Sequence, residues 1–196
     1  LGLESSSLYN ICEILSGKCT VAEAAVNDKR CSNLSFIAAP AYFSLADVDS
    51  FSFTEEAVKS FVLKLKLEYD FVIFDLPARP DKLYKALVKY SNYAIVISLH
   101  TAASIRAAEK TAMALEELGC GNADNELITK NLKTRLIINS FIAKDAASGV
   151  RPSIYDVINK TSVRLIGVLP YDEGMARGQE NGLLAYQVKK GRNNFN

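Results

Sequence analysis

An aspartate closes one of the most apolar runs in the sequence. Asp75 follows directly on residues 71–74 in the stretch "YDFVIFDLPARP", and that run predicts a strand buried on both faces. A carboxylate at the end of a buried strand can hold the Mg²⁺ ion of a nucleotide, because Mg²⁺ prefers oxygen ligands and keeps several waters. The aspartate could equally cap the turn that the following prolines favour. The pattern alone leaves both interpretations open.

The elements around Asp75 alternate between strand and helix. Before residues 71–74, a strand at 34–40 ends at a proline, and three helices have candidate N-caps at residues 5–7, Thr20 and Thr54. After them, the apolar spacing predicts helices at 81–90, 102–118, 153–159 and near 174–181, with strands at 93–99, 135–139 and 164–169. This order predicts a three-layer α/β fold, in which helices cover both faces of a doubly wound, mostly parallel sheet.

The carboxyl ends of the strands are where sheets of this kind bind ligands. In this sequence those ends are Asp75, the segment after Leu99, Asn139, and "PYDE" at 170–173. Simpler roles remain open for two of these residues. Asn139 could satisfy a strand-end turn, and Asp172 could cap the following helix.

Composition excludes several classes of function. The net charge of +1 gives no overall field for a polyanion, which argues against nucleic acid as a partner. No apolar run approaches the roughly 20 residues that span a bilayer, which predicts a cytoplasmic protein. Four cysteines without a CxxC pair, and the single His100, cannot assemble the usual kind of zinc site. His100 has no acid or nucleophile as a companion and is assigned no role.

The order of segments resembles the MinD-like branch of the MinD/ParA family, P-loop ATPases with a deviant Walker A motif. "LGLESSSLYNICEILSGKCTVAEAAVNDKRCSNLSFIAAPA" is similar to the family's Leu-Gly-Leu-Glu segment, and "YDFVIFDLPA" to its Walker B and switch II region. "AIVISLHTAASIRAAEK" resembles the strand and helix that follow. The most specific match is "RLIINSFIAKDAASGVRPSIYDVINKTSVRLIGVLPYDEGMARGQENG", which resembles the family's closing block.

The resemblance implies a site for ATP or ADP with Mg²⁺. Asp75 would be the catalytic carboxylate and would serve the magnesium ion, directly or through water. Asn139, Pro170 and Asp172 would border the adenine, because an amide can both donate to and accept from its edge. The switch II residues would complete the nucleotide-binding set: Pro77, Ala78 and Arg79.

The resemblance also implies a homodimer that forms with ATP and binds a division or positioning partner. Ser104 and Arg106 match the family's "SxR" at this surface, although Ala107 replaces the acid that usually follows. A solvated helix face is the alternative for these two residues. Family members also contact the inner face of the cell membrane through a basic amphipathic helix, whereas this chain ends in "YQVKKGRNNFN", which is basic but too short and polar.

The main departure from the family is the phosphate loop. The sequence contains neither G-x-x-x-x-G-K-[ST] nor the deviant form "KGGxGKT". In the family the strand before that loop lies beside the strand that ends at Asp75, so its loss would leave central strands unpaired. We therefore expect residues 1–196 to be a single domain truncated at both ends, inactive as it stands. Arg79, where the family has glycine, could obstruct the terminal phosphate or bind it.

The leading hypothesis is a MinD-like ATPase of division-site selection, present here without its phosphate loop. One alternative is a related ATPase for pilus assembly, flagellar number or plasmid partition. Another is a non-catalytic pseudo-ATPase scaffold, which Arg79 favours.

Overall fold

The computed structural model describes residues 8–28, 31–39, 53–77, 81–119 and 132–181. The chain divides into two compact units, Leu1–Asp75 and Leu76–Asn196.

Within its described residues, the first unit contains three helices and a short antiparallel pair of strands. Its elements are α1 Ile11–Leu15, α2 Val21–Ala24, β1 Val26–Asn27, β2 Ser35–Phe36 and α3 Glu55–Glu68. Side chains define where the helices begin: the Thr20 hydroxyl accepts from the Glu23 N–H, while Glu23 Oε2 accepts from the Thr20 N–H at 2.7 Å. Thr54 caps α3 as predicted, through the N–H of Ala57. The strand predicted at 34–40 is described up to residue 39, and within residues 34–39 the strand comprises Ser35–Phe36.

The strand predicted at 71–74 is wrong. Residues 71–77 carry no strand, and Phe71 and Ile73 are 87% and 88% exposed. Their apolar character is that of a buried strand, but a strand needs a neighbour for its N–H and C=O groups. Within the described ranges no segment pairs with residues 71–77, and alternate side chains of this run are exposed.

The second unit is built on a parallel sheet in the order β3-β4-β5. Its elements are α4 Lys82–Lys89, β3 Tyr93–Leu99, α5 Ala102–Gly119, β4 Lys133–Phe141, α6 Ala143–Ala147, α7 Ile154–Thr161, β5 Leu165–Pro170 and α8 Glu173–Glu180. The short helix α6 was not predicted. In the part of the chain that the structure describes, no helix combines the length and apolarity needed to cross a membrane.

The two faces of this sheet differ sharply. The covered face consists of residues that pack against α4, α5 and α7: Val96 and Ser98 of β3, and Leu136 and Ile138 of β4, each at most 6% exposed. The open face consists of the alternate residues of β3, which are 43–65% exposed: Tyr93, Ile95, Ile97 and Leu99. Among the described residues β3 is also an edge strand, hydrogen-bonded to β4 alone.

Candidate functional site

Asp75 and Pro77 lie in residues 71–77, which carry no strand and within which the first unit ends and the second begins. Asp75 is the last residue of the first unit, and both side chains are exposed. Ala78 and Arg79 lie outside the described residues. The described residues include no group of three or more acids, histidines or cysteines that could hold a metal ion. Asp75 therefore offers one accessible carboxylate, which suits a Mg²⁺ ion that takes its other ligands from phosphates and water.

The ends of β3 and β4 meet at one edge of the sheet. Leu99, the last residue of β3, is in register with Asn139 of β4. The Asn139 Oδ1 accepts a hydrogen bond from the N–H of Ser140 at 2.9 Å, and Ser140 adopts a left-handed backbone with φ 52°. This local bond corresponds to the turn role considered for Asn139. It uses only the oxygen, so the Nδ2 group is still available to donate to a ligand.

The end of β5 joins the same edge. Pro170 is in register with Phe141, and the Tyr171 N–H donates to the Phe141 carbonyl at 2.9 Å. Asp172 Oδ1 accepts from the N–H of Met175 at 3.0 Å and so caps α8. The structure thus brings together Asn139, Pro170 and Asp172 as a sequence-predicted group within the second unit. We call the strand ends 99–100, 139–142 and 170–172 the strand-end edge.

His100, which follows Leu99 and was assigned no role from the sequence, belongs to this edge. The side chain is fully buried, and Nε2 accepts from the Ile142 N–H at 3.1 Å. A partner 42 residues away cannot be recognised from spacing, and the sequence around His100 offers no acid or nucleophile that would signal a role.

A hydrogen bond of Ser104 links the start of α5 to the end of β3. Its Oγ accepts from the Leu99 N–H at 2.9 Å and lies 3.3 Å from the Ser98 Oγ. Ser104 is half-buried, whereas Arg106, two residues later, is exposed. Of the two residues predicted for a partner surface, Arg106 is therefore the one that an approaching protein can reach.

Arg106 lines an open groove of about 650 Å³ between α5 and the segment that leads into α7. Charges of both signs border the groove, including Glu109, Arg151, Asp156 and Lys160. Two of them have partners: Arg151 pairs with Asp145 at 3.0 Å, and the Ser153 hydroxyl donates to Asp156 Oδ2 at 2.7 Å. Hydrogen bonds from the Ser153 hydroxyl and N–H hold the pKa of Asp156 below its usual range.

The thiols of Cys12 and Cys19 are not activated. Burial, followed by the charge of Glu13, raises the pKa of Cys12 above its usual value, and the same causes with Glu23 raise that of Cys19. Both cysteines stay protonated near neutral pH, which argues against a nucleophilic role.

No family model matches the chain. It is 26% identical over 183 residues to the septum site-determining protein MinD of Bacillus subtilis (strain 168), covering 93% of this chain and 63% of that protein. It is 31% identical over 183 residues to the putative septum site-determining protein MinD of Emiliania huxleyi, covering 93% and 61%. The chain thus spans less than two thirds of the length of these relatives.

Solved structures give the same relationship at the level of the fold. The MinD cell division protein of Aquifex aeolicus matches with a TM-score of 0.74 at 22% identity, covering 93% of this chain and 68% of that one. A MinC:MinD cell division protein complex from the same organism gives 0.74 at 23%, covering 93% and 67%. A ParA family ATPase from Chlorobium tepidum TLS gives 0.64 at 14%, covering 90% and 66%. The fold class predicted from the sequence is confirmed.

Proposed function

Because the chain belongs to the MinD/ParA family, we propose that it is a MinD-like regulator of division-site selection. The observation that carries this proposal is the match, over 93% of the chain, to relatives named as septum site-determining proteins. In the proposed mechanism, ATP binding drives dimerisation and hydrolysis resets the dimer. ATP hydrolysis then serves to switch a partner-binding surface on and off, and does not serve to make a metabolic product.

The described residues offer a metal ligand and a hydrogen-bond donor that suit an adenine nucleotide. Asp75 supplies an exposed carboxylate for Mg²⁺, and Asn139 supplies an amide donor at the strand-end edge. Pro170 and Asp172, at the end of β5, would border the base. Pro77, Ala78 and Arg79 would lie towards the phosphates. These residues would position ATP or ADP with its magnesium ion.

We assign the phosphate loop to a segment outside the 196 residues. Two observations support this assignment: the sequence contains no phosphate loop, and β3 presents an unpaired edge beside an apolar face among the described residues. A further strand could pair with that edge, and a helix could cover Ile95 and Ile97. The same segment would bring backbone N–H groups to the phosphates.

The proposed partner surface is the exposed start of α5, around Ser104 and Arg106. Support comes from the solved complex in which a MinD protein is assembled with MinC. A division partner of this chain would approach the side of α5 that carries Arg106, since Ser104 is half-buried and its hydroxyl already accepts a hydrogen bond from the Leu99 N–H. A peripheral contact with the inner face of the cell membrane, through a C-terminal amphipathic segment that residues 1–196 do not include, completes the proposal.

Light scattering tests the switch. A strand–loop–helix segment of the "KGGxGKT" type, taken from a MinD/ParA relative and joined ahead of Leu1, would give a complete chimera. We expect the chimera to be a monomer with ADP and a dimer with ATP, and the ATP-dependent change in mass to disappear with Asp75→Asn. A chimera that unfolds cooperatively, yet has the same mass with either nucleotide, would rule out the switching mechanism.

A non-catalytic scaffold is the second candidate, favoured by Arg79 at a position where the family has glycine. A scaffold would bind the division partner with no dependence on nucleotide. In the chimera, Arg79→Gly separates the two functions: restored ATP hydrolysis with Gly, and none with Arg, would identify the natural chain as the scaffold.

A further inference from the structure

The only histidine of the sequence is enclosed where the strand ends meet. His100 follows β3 directly and is 0% exposed. Its ring lies against Phe141, with ring centroids 4.7 Å apart at an angle of 45°. A fully buried polar ring in this position needs partners for both nitrogens, because an unsatisfied buried polar group costs about 1–3 kcal/mol.

The hydrogen bonds of His100 define its tautomer. Nε2 lies 3.1 Å from the Ile142 nitrogen and accepts its N–H, so Nε2 carries no proton. The neutral ring must then carry its proton on Nδ1, which lies 3.4 Å from the Pro152 carbonyl oxygen and donates to it. His100 therefore links three segments: the end of β3, the start of α6, and the residue before the N-cap of α7.

These contacts continue into the strand-end edge. Ile142 follows Phe141, the last residue of β4, and the Phe141 carbonyl accepts from the Tyr171 N–H at 2.9 Å. Tyr171 lies between Pro170 and Asp172, the two residues of β5 and its following turn that were predicted to border the adenine. A short chain of contacts thus runs from His100 through residues 141–142 to residues 170–172.

We propose that His100 is a positioning residue for the base-binding edge: as the Nδ1–H tautomer it fixes the main chain at residues 141–142, and through it the relative placement of Asn139 and Tyr171. The proposal rests on the proposed function, because it assumes that an adenine nucleotide binds at this edge. Few side chains suit the position. Only a ring with one donor and one acceptor satisfies Pro152 and Ile142 together while packing on Phe141.

Two substitutions distinguish the hydrogen bond accepted by the His100 ring from the packing of that ring against Phe141. His100→Phe keeps an aromatic ring against Phe141 but leaves the Ile142 N–H without an acceptor. His100→Gln loses the ring but can place an amide oxygen near the same N–H. Val157→Ala is the matched control, because Val157 is also fully buried in the second unit but makes no hydrogen bond to the edge through its side chain.

Nuclear magnetic resonance measures the positioning directly. In the wild-type chain we expect one protonated and one unprotonated imidazole nitrogen, and slow amide exchange at Ile142 and Tyr171. Exchange at both amides should accelerate with His100→Phe and stay slow with His100→Gln and Val157→Ala. Unchanged protection of Ile142 in His100→Phe, or a proton on Nε2 in the wild type, would overturn the proposal.

Adenosine, which has no phosphate, probes the base site without a phosphate loop. We expect it to shift the Asn139 side-chain amide of the wild-type chain, with guanosine as the control nucleoside. Affinity should fall about fivefold or more with His100→Phe, the factor that corresponds to one lost hydrogen bond, and stay within twofold with Val157→Ala.

The two failures are distinguishable. If adenosine leaves the wild-type strand-end edge unperturbed, the proposed base site is wrong, and the exchange of the Ile142 amide still decides whether His100 positions residues 141–142. If adenosine binds the wild type and His100→Phe equally well, the base site stands and the positioning role is overturned.

Discussion

The two faces of β3 have similar apolar content and very different surroundings. On the covered face, Val96 is 6% exposed and packs with α5 and α7. On the open face, Ile97 is 65% exposed. Neighbouring residues of one strand thus have the same chemistry, although among the described residues only one face has helices against it. The apolar residues on the open face of β3 therefore indicate packing against a further segment, although the described residues provide no such contact.

Residues 71–74 of the first unit show the same mismatch between apolar sequence and exposed side chains. Their sequence predicts burial on both faces, and Phe71 and Ile73 are almost fully exposed. In both places an apolar segment lacks a hydrogen-bonded neighbour within the described residues. A single strand-and-helix segment on the open face of β3 would account for the apolar residues there.

Truncating one residue on each face gives the largest expected contrast. Leu136→Ala on the covered face should lower the free energy of unfolding by about 3 kcal/mol, because it leaves a cavity in a packed core. Ile97→Ala should cost about 1 kcal/mol or less, because most of that side chain is already in water. Urea unfolding of the second unit measures both values.

The same pair tests whether a further segment covers the open face. In the chimera that carries the strand–loop–helix segment, the cost of Ile97→Ala should rise towards that of Leu136→Ala. Equal costs in the 196-residue chain itself would contradict the comparison, since they would mean that both faces are already buried in solution.

A smaller effect is expected where α5 is attached to the covered side. Ser104→Ala removes the acceptor for the Leu99 N–H and should lower stability by about 1 kcal/mol. Ser148→Ala is the matched control, because the Ser148 hydroxyl is exposed and bonds a carbonyl within its own turn, so its loss should stay within about 0.5 kcal/mol. Equal melting temperatures for the two variants would show that Ser104 does not fasten the helix.

The smallest expected effect is the loss of stability at low pH that comes from the N-terminal cap of α7. This helix packs on the covered face. The pKa of Asp156 is lower in the folded protein than in the unfolded chain, since Ser153 donates to the carboxylate. The stabilisation is therefore present above the usual titration range of an aspartate and is lost as the pH falls through the folded pKa. Asp156→Asn should flatten this part of the stability profile and leave the protein at neutral pH slightly less stable. If Asp156→Asn leaves the loss of stability at low pH unchanged, protonation of Asp156 does not contribute to that loss.

Local signals were sufficient for α2, α3 and one central strand, whereas α6 was not predicted and α1 is capped by Asn10. The capping pattern of Thr20 and Glu23 requires only four residues, and the structure contains it. The strand at 93–99 has the predicted bounds because β4 pairs along its whole length. Residues 71–74 have as strong a pattern and form no strand, because pairing depends on a segment that the pattern does not contain.

The candidate site was predictable only as far as strand ends could be identified. Asn139 and Asp172 were singled out because they lie at or just after the predicted ends of strands, and their local hydrogen bonds are those of a turn and a helix cap. His100 was missed because its partners, Ile142 and Pro152, lie 42 and 52 residues away. Only the parallel order of the strands brings these groups together.

Calorimetric titration with MgATP tests the central claim most directly, namely that the open face and the strand-end edge belong to a nucleotide site completed by a phosphate-loop segment. We predict saturable binding of one MgATP per chimera, weakened with Asp75→Asn, and binding to the 196-residue chain that is no tighter than that of adenosine alone. A chimera that folds cooperatively, buries Ile97 and still releases no heat with MgATP would contradict the account.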